Sequence, residues 1–159
     1  MNTNLSSSAR KVQDALTALG FSMQVVELPA STRTAVEAAQ AVGCGVGQIV
    51  KSLIFKGKES GRPILILVSG SNRVDIEKAA AEIGEGLNKA DADFVRQHTG
   101  FAIGGVPPVG HIEAVDTFID IDLLQYTEVW AAAGTPNAVF RLASADLERV
   151  TGGRVVQIA

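Results

Sequence analysis

Cysteine is nearly missing from this chain: Cys44 is the only one in 159 residues. An internal disulfide is excluded, and so is a four-cysteine zinc site. Histidine is almost as scarce, with only His98 and His111, and no H-x-x-x-H, C-x-x-C or G-x-S-x-G pattern occurs. No metal or other cofactor is therefore expected. No apolar run approaches the roughly 18 residues a membrane helix needs, so no membrane contact is expected. Long basic runs are missing too, and the net charge is −3. That argues against wrapping a nucleic-acid duplex, DNA included, which needs many phosphate contacts. It leaves room for gripping one end of a nucleic acid with a few cations. The opening M-N-T-N-L-S-S-S-A-R has no long apolar stretch, so no secretory leader is expected and the cytoplasm is the expected compartment.

What is present is a hydrophobic fraction of 47%, enough for a packed globular core without cross-links. The length suits one domain over 1–159. Helix and strand signals follow one another along it. Ser6 to Ser8 can cap a helix with an apolar stripe of Val12, Ala15, Leu16 and Leu19. M23-Q-V-V-E-L28 reads as a strand stopped by Pro29. Thr34 and Glu37 have capping-box spacing and open a short helix with Val36, Ala39 and Val42 inward. I49-V-K-S-L-I-F55 and the continuous apolar run I64-L-I-L-V68 flank a polar turn and resemble a hairpin, the second strand buried on both faces. Helices are expected over Asp75–Ile83, Asp91–His98 and Ser144–Val150. Further strands are expected at Phe101–Ile103, Thr117–Ile121, Glu128–Ala132, Val139–Leu142 and Arg154–Ile158. The order is not strictly alternating, so the expected class is α/β (α+β): a mixed sheet or closed barrel with peripheral helices.

Two stretches carry chemistry. In I49-V-K-S-L-I-F55 the period of two puts Lys51 on one face with Ile49, Leu53 and Phe55. A buried ammonium is costly unless it is paired. Lys51 therefore either snorkels to solvent or sits in a pocket for an anion. In G104-G-V-P-P-V-G-H111, glycines permit close backbone approach and prolines stiffen the loop. The backbone N–H groups of Gly104, Gly105 and Val106 could face a carbonyl or oxyanion; the alternative is a tight turn between strands. His111 is a candidate general base or donor, whereas His98 beside a helix end reads as structural. Asp116, Asp120 and Asp122 share a strand face by spacing, more often a solvated face than a metal cluster. S69-G-S-N-R73 reads as a polar connector, with Arg73 a surface charge or a phosphate contact.

Lys51 on its strand, followed by the G-x-x-x-P spacing of Gly104 and Pro108, is similar to the YbaK-type aminoacyl-tRNA deacylases. That family includes the editing domain inserted in bacterial prolyl-tRNA synthetases. The resemblance spans nearly the whole chain, and T151-G-G153 and Ala133-Gly134-Thr135-Pro136 match stretches common in stand-alone members. It implies a mixed, mostly antiparallel β-barrel-like sheet flanked by short helices. It also implies hydrolysis of the ester joining a wrong amino acid to a tRNA 3′ end, without a metal. By resemblance, Lys51 holds the terminal phosphate or aminoacyl end, Gly104 and Gly105 contact the carbonyl, and Pro108 stiffens the loop. Thr34, Ser52 and His111 are weaker candidates for lining the pocket. The expected partner is a tRNA acceptor end carrying a small wrong amino acid such as Ala, Ser, Thr or Cys, with an aminoacyl-tRNA synthetase as a further candidate partner. In W130-A-A-A-G-T-P-N-A-V139, Ala132 and Val139 stand where cysteinyl-tRNA deacylases carry polar residues. A non-catalytic module binding a nucleotide or tRNA end, and a hydrolase of some other small ester, are the competing readings.

Overall fold

The computed structural model describes residues 5–159; the first four residues of the opening segment read above for a leader lie outside them. Among the described residues eight strands form a single mixed sheet around β2 (Ile49–Gly57) and β3 (Pro63–Ser69). The other strands are β1 (Val25–Glu27), β4 (Leu87–Lys89), β5 (Asp116–Asp120), β6 (Glu128–Ala132), β7 (Ala138–Ala143) and β8 (Arg154–Val156). The order is β1-β7-β6-β2-β3-β5-β8, with β4 added to β2. The β2–β3, β2–β4, β6–β7 and β1–β7 pairs are antiparallel, and β2–β6, β3–β5 and β5–β8 are parallel. Of the two expected forms, mixed sheet or closed barrel, it is the mixed sheet that forms: β1 and β8 end it without pairing to each other, so it stays open.

Local sequence explains the helices. In α1 (Ser7–Ala18), Ala9, Val12 and Leu16 are buried, the i, i+3, i+7 stripe of a helix laid on a core. Helix α2 (Ala35–Val42) opens with the capping box read from Thr34 and Glu37. Its inner face is Ala38 and Ala39, while Val36 is 54% exposed rather than inward. Asp75 and Asp91 cap α3 (Ile76–Ile83) and α4 (Ala92–Thr99) through side-chain oxygens. A 3-10 turn at Ser144–Asp146 leads into α5 (Leu147–Thr151).

Strand β3 is buried at every residue. Leu65 and Leu67 join the large core under α1, whereas Ile64, Ile66 and Val68 face a second core with Phe118, Val156 and Ile158. That is the physical basis of its unbroken apolar run. The expected strand Phe101–Ile103 does not form. Thr99 Oγ1 accepts the Phe101 N–H at 3.1 Å, Phe101 plugs the core and Ile103 turns out to solvent. The remaining strand is β4, a three-residue piece too short and polar to announce itself. Among the described residues no helix is long and apolar enough to cross a membrane.

Candidate active site

The site arises from a break in strand pairing. One edge of β2 is paired along its length by β3, from Val50↔Ser69 to Lys56↔Pro63. On the other edge β6 pairs only at Ile49↔Trp130 and Val50↔Ala131, and β4 only from Phe55 to Gly57. Lys51–Ile54 therefore has no partner strand on that edge. A cavity of about 530 Å³ opens there, bounded by β2, the start of α2, the end of β6 and the loop at Ile103–Val106. Residues from both faces of the sheet reach it through the gap, including Lys51, Ser52 and Leu53. Its wall is mainly apolar, with Trp130, Ala131, Ala132, Val139 and Val106 prominent.

Lys51 is half-buried on the face predicted for it, opposite Val68. Its Nζ donates to the Asn72 carbonyl at 2.6 Å, and no carboxylate forms a salt bridge with it among the described residues. Burial pushes its pKa below the ordinary lysine value, the nearby Arg73 guanidinium adds to that, and Asp120 partly opposes it. Asn72 is itself clamped: its Nδ2 donates to Asp120 Oδ2 at 2.9 Å and to Asp122 Oδ2 at 2.8 Å. The polar connector after β3 is thus the seat of the lysine. Asp120 is 1% exposed and also accepts the Ser69 N–H, so its expected place on a solvated face is corrected. The strand ends at Asp120, which caps the following 3-10 turn by accepting the Asp122 N–H. Asp116 instead pairs with Arg62 at 2.6 Å. Among the described residues no group of three or more His, Cys, Asp or Glu side chains could hold a metal.

Ser52 Oγ is buried without any hydrogen-bond partner among the described residues and lines the cavity. A buried hydroxyl left unmatched is costly, which marks a place for a ligand's polar group. Thr34 also lines the cavity, but its hydroxyl is engaged in the capping box, accepting the Glu37 N–H at 3.1 Å.

The loop divides its residues between two tasks. Gly104, at φ +96°, lines the cavity, and a β-carbon there would meet the Arg33 side chain at 3.1 Å. The N–H groups of Gly104 and Val106 have no intramolecular partner among the described residues. The Gly105 N–H is spent on the Ala102 carbonyl at 3.2 Å, so the donor expected there is not free. Gly105 is buried against Thr135, whose backbone a β-carbon would approach to 2.9 Å, and its carbonyl accepts the Gly134 N–H. Pro108 is buried behind the loop and does not line the cavity. His111 does not reach it either. Its Nε2 lies 2.7 Å from the Pro107 carbonyl, with its ring edge-on to Phe101. Burial pushes the His111 pKa down, the Pro107 contact opposing. The structure therefore brings together Lys51, Ser52, Thr34 and Gly104, while Gly105, Pro108 and His111 brace the loop from behind. Sequence reasoning missed Arg33 and Trp130 as cavity walls. Arg33 immediately precedes the capping residue Thr34, and that adjacency was its one signal.

The chain is similar to several known proteins. The family model described as "Aminoacyl-tRNA editing domain" matches residues 29–150. A crystal structure of a candidate trans-editing enzyme for prolyl-tRNA synthetase is 57% identical and superposes with a TM-score of 0.92, covering 98% of each chain. YwhH of Bacillus subtilis is 28% identical over 148 residues, 93% of this chain and 94% of its own. EbsC of Enterococcus faecalis, named as a candidate Cys-tRNA(Pro)/Cys-tRNA(Cys) deacylase, is 27% identical over 124 residues, 76% of this chain and 73% of its own. With that family model matched over residues 29–150, the chain belongs to the aminoacyl-tRNA editing domain family.

Proposed function

We propose that this protein is a stand-alone deacylase, one editing domain acting in trans, that hydrolyses the ester of a tRNA mischarged with a small amino acid. The carrying observation is the convergence of the Lys51 ammonium, one unmatched hydroxyl and unpartnered backbone donors on a single, mainly apolar cavity that Arg33 also lines: Lys51 Nζ, Ser52 Oγ, and the N–H groups of Gly104 and Val106. The 3′-terminal nucleoside ester enters through the gap beside β2. The Lys51 ammonium takes an anionic or electron-rich oxygen of that end. The Gly104 and Val106 N–H groups face the ester carbonyl and the negative charge that develops on its oxygen. Water adds to the carbonyl carbon, the bond to the ribose oxygen breaks, and that oxygen leaves with a proton. The products are a free amino acid and an uncharged tRNA.

The wall bears on the amino acid. Ala131, Ala132, Val139 and Val106 offer no charge and only small or aliphatic side chains, which suits an apolar side chain such as that of alanine. An apolar pocket rejects a close isostere bearing an added hydroxyl poorly, and Ser52 Oγ can pair with such a hydroxyl, so serine, threonine and cysteine stay within range. Incubation with a panel of mischarged tRNAs, read by release of label, tests the reading. Rapid release of a small amino acid is expected. Tight binding with no release from any charged tRNA would leave a non-catalytic tRNA-end binding module.

A further inference from the structure

A second groove, of about 390 Å³, lies on the other side of Lys51. Lys51 and Leu53 line both cavities. The rest of the second is Phe55, Arg73, Val74, Ile76, Leu87 and Lys89. Register explains the grouping. Lys51, Leu53 and Phe55 alternate onto one face of β2, and Lys89 sits directly opposite Phe55 in the β2–β4 pair, hence on the same face. Arg73 enters from the connector that seats Lys51. The floor is apolar and the rim carries three cations. Arg62, Arg141, Arg149 and Arg154 all have carboxylate partners, but Arg73 and Lys89 have none among the described residues. Like charges held together without an anion destabilise the free protein, and Ile76 stays 43% exposed at the rim. Cations at the edge of an aromatic and aliphatic floor suit a nucleobase with its phosphate, the combination by which single strands are held.

We propose that this groove binds the single-stranded RNA immediately 5′ of the terminal nucleoside, its phosphates on Lys51, Arg73 and Lys89 and a base against Phe55. The proposal rests on the deacylase reading only for the direction of the strand: the ester end in the first cavity, the preceding nucleotide in the second, and Lys51 at the phosphate between them. A duplex would not present an unstacked base to this floor.

The test uses uncharged RNA, so it does not depend on hydrolysis. Binding of an acceptor-stem minihelix with a single-stranded 3′ overhang is compared with the same minihelix made blunt, for wild type, Arg73→Ala and Lys89→Ala. Both side chains are exposed, so the variants are expected to fold, and thermal melts check this. Wild type should prefer the overhang RNA. Each variant should lose about fivefold to tenfold in affinity for it at low salt, and the slope of log K against log[salt] should shrink by roughly 0.7. Phe55→Leu, which keeps the core filled, should weaken the overhang RNA alone. Equal losses for blunt and overhang RNA would mean ordinary duplex contacts and overturn the assignment. So would cytidine monophosphate binding as tightly as the overhang RNA, or both cation variants binding as wild type. If the cation variants lose overhang affinity while no mischarged tRNA is hydrolysed, the groove stands and the deacylase reading falls. If hydrolysis is seen and those variants bind normally, the reverse holds.

Discussion

Lys51 is the residue whose energetics argue most directly for use. Among the described residues its one hydrogen-bond partner is a neutral carbonyl at 2.6 Å, and burial followed by Arg73 lowers its pKa from the ordinary 10.5. Between the depressed folded value and 10.5 the unfolded chain binds more protons, so stability rises with pH through that window. Below the window the whole cost of the charge stands. Lys51→Ala should therefore abolish deacylation, and the isosteric Lys51→Met should melt at or above wild type at neutral pH. Single-turnover assays beside thermal melts measure both, and full turnover by either variant would remove the lysine from the site. His111 makes a prediction in a different pH range. Its folded pKa lies below the ordinary 6.5, because it is buried. Between those two values the unfolded state again binds more protons, so the stability its neutral form supports is complete above 6.5 and declines as pH falls toward the folded value. Wild type should lose melting temperature on acidification below about 6.5, and His111→Gln should be less stable at neutral pH yet flatter across that range. Parallel pH profiles for the two proteins would refute this.

At the scale of an element, the loop Gly104–Gly110 separates what a ligand needs from what the fold needs. Gly104→Ala introduces a side chain at φ +96° against Arg33, whose flexible chain can shift. Its expected stability cost is roughly 1–2 kcal/mol, with a drop in kcat of about 100-fold or more if a carbonyl donor is displaced. Gly105→Ala drives a β-carbon to 2.9 Å from Thr135 backbone atoms, which cannot step aside. It should therefore lower the melting temperature more than Gly104→Ala does. Should Gly104→Ala deacylate at the wild-type rate, the loop is only a turn. This division could not be read from the sequence, where adjacent glycines look alike and the neighbour at Thr135 lies thirty positions away. Lys51 was legible because period-two alternation is local, and so was the capping box at Thr34. Asp120 was misplaced because its acceptors serve Ser69 and Asn72, groups that only the β3–β5 pairing brings near. Likewise β4 leaves no mark in the sequence and Phe101–Ile103 only resembles a strand, since a three-residue strand and a buried turn are decided by what they pack on rather than by their own propensities.

Across the whole molecule, charge is distributed against broad RNA binding. The chain carries 17 acidic and 14 basic side chains, for a net −3. Yet Arg33, Lys51, Arg73 and Lys89, from four separate segments, line the two cavities flanking β2. The central place of β2, with β3 on one edge and a gap between β6 and β4 on the other, gathers them. Away from that region the net negative charge opposes a phosphate backbone, so contact should stay confined to the end of the acceptor strand. With about three phosphates neutralised, on Lys51, Arg73 and Lys89, at roughly 0.7–0.9 each, log K for an uncharged minihelix should fall against log[salt] with a slope of about −2 to −3. Titrations over a range of salt concentrations give that slope directly. A value steeper than about −6 would require a footprint well beyond these side chains, and the confinement of RNA to the two cavities would then be wrong.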